Sequence, residues 1–344
     1  MGADVYRTDA DFRAQTANSA DLARGAGPVP GIDLFNPVYG VTSYRDYGLD
    51  GLPWRTTRTR SDRYGAYLQD EIELSPRWLL LAGLRWDGFK DTDNVAGTAV
   101  KGNDLSWRLG STFVVREGLN VYANVAAGFV PQAAANQDRA AGGPFDPERS
   151  RQWEIGMKSL LGGRWTLNTA IYRIERSNIV QSTGEVIGGV NQMEALGLVR
   201  SKGGELDLLA DLTERWVVNL SYAYNDARVI EAGTNGITDA AGGRFVNVPR
   251  NKLGLWTHYE LPALKSAVGF GADYMDERIS RDGQRVKPYT VFDISWKTQW
   301  QQWQLQANVK NVFDKVYAAS GFIERNGHFP GEPRRVYLQA SYTF

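Results

Sequence analysis

Cysteine is absent from the 344 residues. That removes disulfides, thiol nucleophiles and thiolate metal sites together, and suits a compartment in which stray thiols would oxidise. Histidine is nearly absent: His258 and His328 are the whole supply, too little for a histidine metal cage or an Asp/His or Ser/His catalytic constellation. No apolar run approaches the roughly 18 to 20 residues a spanning helix needs. Charge of one sign is not in excess, 39 Lys+Arg facing 39 Asp+Glu, and the basic residues are scattered, so nothing points to a nucleic-acid surface. The start, Met1-Gly2-Ala3-Asp4-Val5-Tyr6-Arg7, has no basic region followed by an apolar core and does not read as a signal peptide. Phosphate loops, dinucleotide fingerprints and Gly-x-Ser-x-Gly elbows are also missing. The expectation is a protein that is not an enzyme and has no resident cofactor or protein-bound metal.

What the chain has instead is alternation. In its final run Val336, Leu338, Ala340, Tyr342 and Phe344 share one parity, and Arg335, Tyr337, Gln339, Ser341 and Thr343 share the other. A two-residue period is the signature of a strand with one apolar face. About fourteen such segments follow one another. The first runs from Gly2 to about Thr8; the others lie near 62–74, 77–89, 104–116, 119–131, 149–160, 165–177, 199–211, 215–227, 249–260, 265–276, 287–300, 302–311 and 333–344. At about 10 to 14 residues most are longer than strands of a soluble sheet and suit a tilted bilayer crossing.

The connections alternate in length. Short joins such as Ser75-Pro76 and Glu117-Gly118 alternate with long ones at 90–103, 132–148, 178–198, 228–248, 277–286 and 312–332. That order is the pattern of an outer-membrane barrel, with short turns on the periplasmic side and long loops outside. Residues 8–60 read as one long extracellular loop. Trp78, Leu80, Ala82, Leu84 and Trp86 oppose Arg85 and Asp87, so the charged parity must face a wet or plugged lumen. Carboxylates such as Asp87 with Asp91, or Glu205 with Asp207, then read as lumen-facing polar residues. Trp78, Trp165, Trp216, Trp300, Trp303 and Tyr342 read as interfacial girdle residues. The fold class is all-β, an antiparallel transmembrane β-barrel.

Several segments also carry a family likeness. Asn308-Val309-Lys310-Asn311-Val312-Phe313-Asp314-Lys315-Val316-Tyr317, followed by a last strand ending at Phe344, resembles the C-terminal signature of TonB-dependent outer-membrane receptors, particularly the ferric-siderophore branch. Tyr64-Gly65-Ala66-Tyr67-Leu68-Gln69-Asp70, Gly128-Phe129-Val130-Pro131, the segment from Pro147 to Lys158, and Asn178 are similar to further strands of that family. The likeness covers roughly 62–344. It implies a barrel of about 22 strands, of which this chain would be the C-terminal fourteen or so, with no plug domain and no TonB-contact box visible. It implies a ferric siderophore as cargo, with the iron wrapped by its chelator, and as partners the TonB complex through the missing N-terminal region and the outer-membrane lipid. The insertion machinery would read Phe344.

Aromatic and basic loop residues are the candidates for cargo recognition: Tyr44, Tyr47, Trp54, Arg139, Phe145, Arg325, His328 and Phe329. For any one of them packing within a loop is the plainer role. Two other readings of the alternation stay open, a passive porin and a soluble β-protein, and cobalamin or another large substrate could replace the siderophore. An even number of strands would also permit closure into a narrower barrel.

Overall fold

The computed structural model describes residues 1–14, 38, 54–188, 190–232, 241–280, 283–321 and 328–344. The strands are β1 Gly2–Ala14, β2 Arg55–Ser75, β3 Trp78–Asp93, β4 Thr98–Arg116, β5 Leu119–Val130, β6 Glu148–Leu161 and β7 Trp165–Ile187. They continue as β8 Val190–Thr213, β9 Trp216–Glu231, β10 Asn251–Leu261, β11 Ser266–Met275, β12 Arg278–Ile279 and β13 Arg285–Val286. The last are β14 Tyr289–Trp300, β15 Trp303–Lys310, β16 Ala318–Gly321, β17 His328–Pro330 and β18 Arg335–Tyr342. Fourteen of them form one sheet in chain order, each paired with its sequence neighbour, with β1 and β18 at its edges. The remaining four make two small hairpins, β12–β13 and β16–β17, inside the long connections. No helix among the described residues is long and apolar enough to cross a membrane; the strands carry the span.

The register places the two parities on two faces around the whole sheet. Directly paired residues share a face, and one continuous row reads Trp78, Phe113, Val121, Met157, Thr169, Leu206, Tyr222, Leu253 and Tyr274. The opposite face carries pairs such as Arg85 with Ser106 and Asp87 with Asp104. All six girdle aromatics fall on the apolar face near the short turns and are exposed, Trp78 at 46% and Trp300 at 60%. Ile155, Ile171 and Leu338 on the same face are 59%, 64% and 79% exposed. Side chains this apolar stay exposed only if hydrocarbon is their solvent. Among the described residues no second sheet presses on them. The buried cluster of Leu196, Val199 and Val229, with Ile179 and Phe245 against it, lies at the long-loop end instead.

The strands overshoot the sequence-based limits at that end. The pairing of β1 continues to Ala14 opposite Arg55, so the connection taken as 8–60 is shorter at both ends. Similarly, the supposed loop 178–198 is mostly ladder: β7 and β8 stay paired up to Ile187 opposite Val190. Beyond the bilayer both faces of a strand meet water or other loops, so hydrophobic alternation stops while backbone pairing continues. In β1 and β2 opposite charges take over, with Arg7 on Asp62 at 2.5 Å, Arg60 on Asp9 at 2.7 Å and Arg58 on Asp11 at 3.2 Å.

Candidate functional site

The long connections gather into two clusters at one end of the sheet. The first joins the 131–147 segment to the tips of neighbouring hairpins. Gln137 holds both backbone groups of Phe145: its Oε1 accepts from the Phe145 N–H at 2.8 Å and its Nε2 donates to the Phe145 carbonyl at 3.1 Å. Gln192 on β8 donates to the Ala140 carbonyl at 2.9 Å, and Thr98 on β4 donates to the Ala134 carbonyl at 3.2 Å. At its base Gln132 donates to the Asn178 carbonyl and Asn178 donates to the Pro147 carbonyl. Asn178 sits at φ 58°, a left-handed conformation that Asn tolerates better than most residues. This is the physical content of the Asn that the likeness singled out.

In the second cluster the hairpins β12–β13 and β16–β17 dock on one another. Asn247 makes a two-way bond with Gly321, accepting from its N–H at 2.9 Å and donating to its carbonyl at 3.2 Å. Arg278, 3% exposed, donates to the carbonyls of Ala318 (2.8 Å) and Ala319, and its guanidinium lies 5.6 Å from the Tyr289 ring centre. It pins the two hairpins through carbonyl dipoles and a ring face, so burial pulls its pKa below the ordinary guanidinium value.

The Asn-Val-Phe-Asp-Lys-x-Tyr segment closes this cluster from below. The Asn311 side chain donates to the carbonyls of Lys315 and Glu332, each at 2.9 Å, and accepts from the Lys315 N–H at 2.8 Å. Its own N–H donates to Asp293 at 2.9 Å, and it is 4% exposed at φ 48°. Asp314 accepts from the Arg334 N–H at 3.0 Å. Tyr317 packs on Tyr289 with ring centres 4.2 Å apart. The segment is therefore a knot that ties the β15–β18 connection at its base, and the residues the likeness emphasised there hold backbone.

Of the recognition candidates, Arg139 and Phe145 belong to the first cluster, Arg139 exposed on a short 3-10 turn and Phe145 half-buried. His328 and Phe329 form part of β17 in the second, both exposed. Trp54 stands just before β2 and is 62% exposed. Tyr44, Tyr47 and Arg325 lie outside the described residues. Sequence reasoning passed over Gln137, Gln192, Asn247 and Arg278, which shape the clusters. Their signal was weak because an amide or guanidinium that bonds backbone has no fixed partner residue to look for in the sequence.

Below the clusters the polar face is prearranged. Arg85 forks onto Asp4 at 2.8 and 3.1 Å and onto Asp87 at 2.8 Å. Glu154 accepts from the Tyr122 hydroxyl at 2.7 Å, Gln152 at 2.9 Å and Asn124 at 3.4 Å. Among the described residues no group of three or more His, Cys, Asp or Glu could hold a metal ion. The arrangement offers a hydrogen-bonding wall under an aromatic and basic mouth.

Comparison with known proteins agrees with this geometry. Residues 2–312 match the family described as TonB dependent receptor-like, beta-barrel. The chain is 28% identical over 331 residues to the metal-pseudopaline receptor CntO of Pseudomonas aeruginosa, covering 91% of this chain and 44% of that one. It is 30% identical over 284 residues to the probable TonB-dependent siderophore receptor PiuA of Acinetobacter baumannii, covering 74% and 37%. The fold superposes on the ferric-catecholate import receptor Fiu of E. coli with a TM-score of 0.74 at 21% identity, covering 98% of this chain and 50% of that one. The chain thus spans under half the length of these two curated relatives. A sheet of fourteen lipid-facing strands, short turns at one end and clustered loops at the other, matched along nearly its whole length, places this chain in the β-barrel of the TonB-dependent receptor family of the bacterial outer membrane.

Proposed function

We propose that this chain forms part of the barrel of a receptor that takes up a ferric siderophore or a closely related metal chelate. The observation that carries the reading is the pair of tied loop clusters standing over the polar barrel face. Their exposed Arg139, His328 and Phe329 suit an anionic, aromatic-bearing chelate. Relatives named as siderophore receptors support the cargo class, and CntO, named for a metal–pseudopaline complex, supports metal chelates more broadly.

In this reading the metal is cargo and its chelator supplies the ligands, so the protein needs no resident cofactor. The edge strands β1 and β18 pair with further strands in the membrane, because an unpaired backbone edge in hydrocarbon leaves N–H and C=O groups without partners. Import is energised by the TonB complex. Phe344, wholly exposed on the lipid-facing parity, serves as the insertion signal.

The test is uptake of radiolabelled iron by cells relying on this receptor, offered a panel of siderophores with and without functional TonB. TonB-dependent accumulation of at least one chelate is expected. Ion conductance without TonB-dependent uptake would identify a passive channel, and uptake confined to cobalamin would replace the cargo.

A further inference from the structure

The register that places apolar side chains on the lipid face also places a basic patch there. Above the apolar belt, on the long-loop side, the outward parity of β6 to β9 reads Arg151, Arg173 with Glu175, Lys202 with Arg200, and Asp226 with Arg228. These are five cations and two carboxylates on four adjacent strands, a width of roughly 15 Å at the usual strand spacing. Glu175 is held by Arg173 and by Arg200 at 2.9 Å, and Asp226 by Arg228 at 2.9 Å. Arg151 and Lys202 have no ion pair among the described residues, so the patch keeps a positive excess. The outward charges on β1 and β2 are different: Arg7, Arg58 and Arg60 each hold a carboxylate, which leaves Arg13, opposite Thr56, as the excess cation on the outward parity of the described residues there.

Directly below Arg173 and Lys202 the same face opens into a groove of about 720 Å³, lined by Ile155, Ile171, Leu206 and Tyr224 and headed by those two cations. Its floor is Gly204, opposite Ile171 on β7 and Tyr224 on β9. The Trp153 ring lies 5.5 Å from the Arg173 guanidinium, at the height where aromatic side chains mark the membrane interface.

We propose that this groove binds a phosphate-bearing lipid of the surrounding leaflet, its acyl chain lying over Gly204 and its phosphate between Arg173 and Lys202. Charge complementarity selects the headgroup: arginine forks and a lysine point charge both suit phosphate oxygens. The apolar floor beneath them selects a lipid over a free anion. Depth supports the same occupant, because cations immediately above a hydrocarbon belt sit where headgroup phosphates lie. The inference rests on the barrel fold and is independent of the cargo.

The test is native mass spectrometry of the intact protein extracted from outer membranes in detergent, with phosphatidic acid, diacylglycerol of the same chains and inorganic phosphate as separate probes. Phosphatidic acid should be retained, and diacylglycerol and inorganic phosphate should not be at the same concentrations. The double substitution Arg173→Ala with Lys202→Ala should weaken retention by on the order of tenfold or more. Gly204→Leu should weaken it too, although both cations remain. A Cβ at Gly204 meets only the Ala170 carbonyl at 3.5 Å and Ile171 at 3.7 Å, so the larger side chain enters the groove without disturbing the ladder. Lys90→Ala with Lys101→Ala, outward but away from the groove, should change nothing. Folding is checked by heat-dependent gel mobility, with Arg173→Gln and Lys202→Gln replacing the alanine pair if that variant fails. Equal retention by wild type and the cation variant would overturn the proposal, as would equal retention of diacylglycerol, or phosphate held as strongly as the lipid.

Discussion

The Asn311 knot makes the sharpest prediction, because one side chain there does three things that no other residue can do at once. Substituting alanine deletes two donated bonds and one accepted bond, and leaves the Lys315 and Glu332 carbonyls and the Lys315 N–H without their partner at a site 4% exposed. At about 1 kcal/mol for each such bond the loss is about 3 kcal/mol. The backbone adds to it: at φ 48° alanine is strained by about 1 kcal/mol where asparagine is tolerated. Asn311→Ala should therefore destabilise the β15–β18 connection by about 4 kcal/mol, and Asn311→Gly by about 1 kcal/mol less, because glycine relieves the strain but restores no bond. The assay is hydrogen exchange at the Lys315 amide in protein reconstituted in lipid, with urea unfolding alongside. Exchange should accelerate by two to three orders of magnitude in the alanine variant while amides in β3 and β4 hold. If Lys315 exchanges at the wild-type rate in Asn311→Ala, the knot is decorative and the reasoning fails.

Other consequences follow from the same geometry. A Cβ on Gly331 would land inside the Tyr317 ring, so Gly331→Ala should push Tyr317 off Tyr289 and show as a loss of near-ultraviolet circular dichroism from that ring pair. Leu208, in the middle of the apolar face of β8, should tolerate arginine poorly, at about 2 to 4 kcal/mol in lipid vesicles. Its neighbour Asp207 on the opposite parity should accept arginine at much lower cost, and equal penalties would refute the assignment of faces. Replacing Asp9 and Asp11 by alanine should raise hydrogen exchange over residues 10–14 while leaving residues 2–6 protected, and high salt should mimic the change, since these pairs are solvent-exposed. Deleting Phe344 should lower the amount of protein assembled in the outer membrane, measured by heat-dependent gel mobility, and normal assembly would remove its role as an insertion signal.

How much of this was legible in the chain depended on where the solvent acts. Within the bilayer the lipid favours alternation, with Asp70 opposite Ala82 as an exception on the apolar face, so each of the fourteen sheet strands was visible as a period of two, and the girdle tryptophans could be assigned by parity alone. The likeness to the receptor family rested on residues such as Asn178, Asn311 and Tyr317. The structure shows that these hold loop bases together. Outside the bilayer the alternation ends, and the extensions of β1, β2, β7 and β8 could not be seen: backbone pairing and cross-strand charges sustain β1 and β2 without an apolar face, and Ile179 and Leu196 of β7 and β8 are buried with Val229 and Phe245, which lie far along the chain.

The recognition candidates show the same division. Composition pointed to aromatic and basic loop residues, but only folding decided that Arg139 and Phe145 belong to one cluster and His328 and Phe329 to the other. The amino-acid order by itself determined the strand count, the two faces and the family, since each depends on neighbours two residues apart or on a local motif. Tertiary structure decided which hairpins dock, that Arg278 is buried between them, and that cations on four strands converge above one groove. Those depend on residues distant in the chain meeting across a sheet, and a period of two carries no information about that.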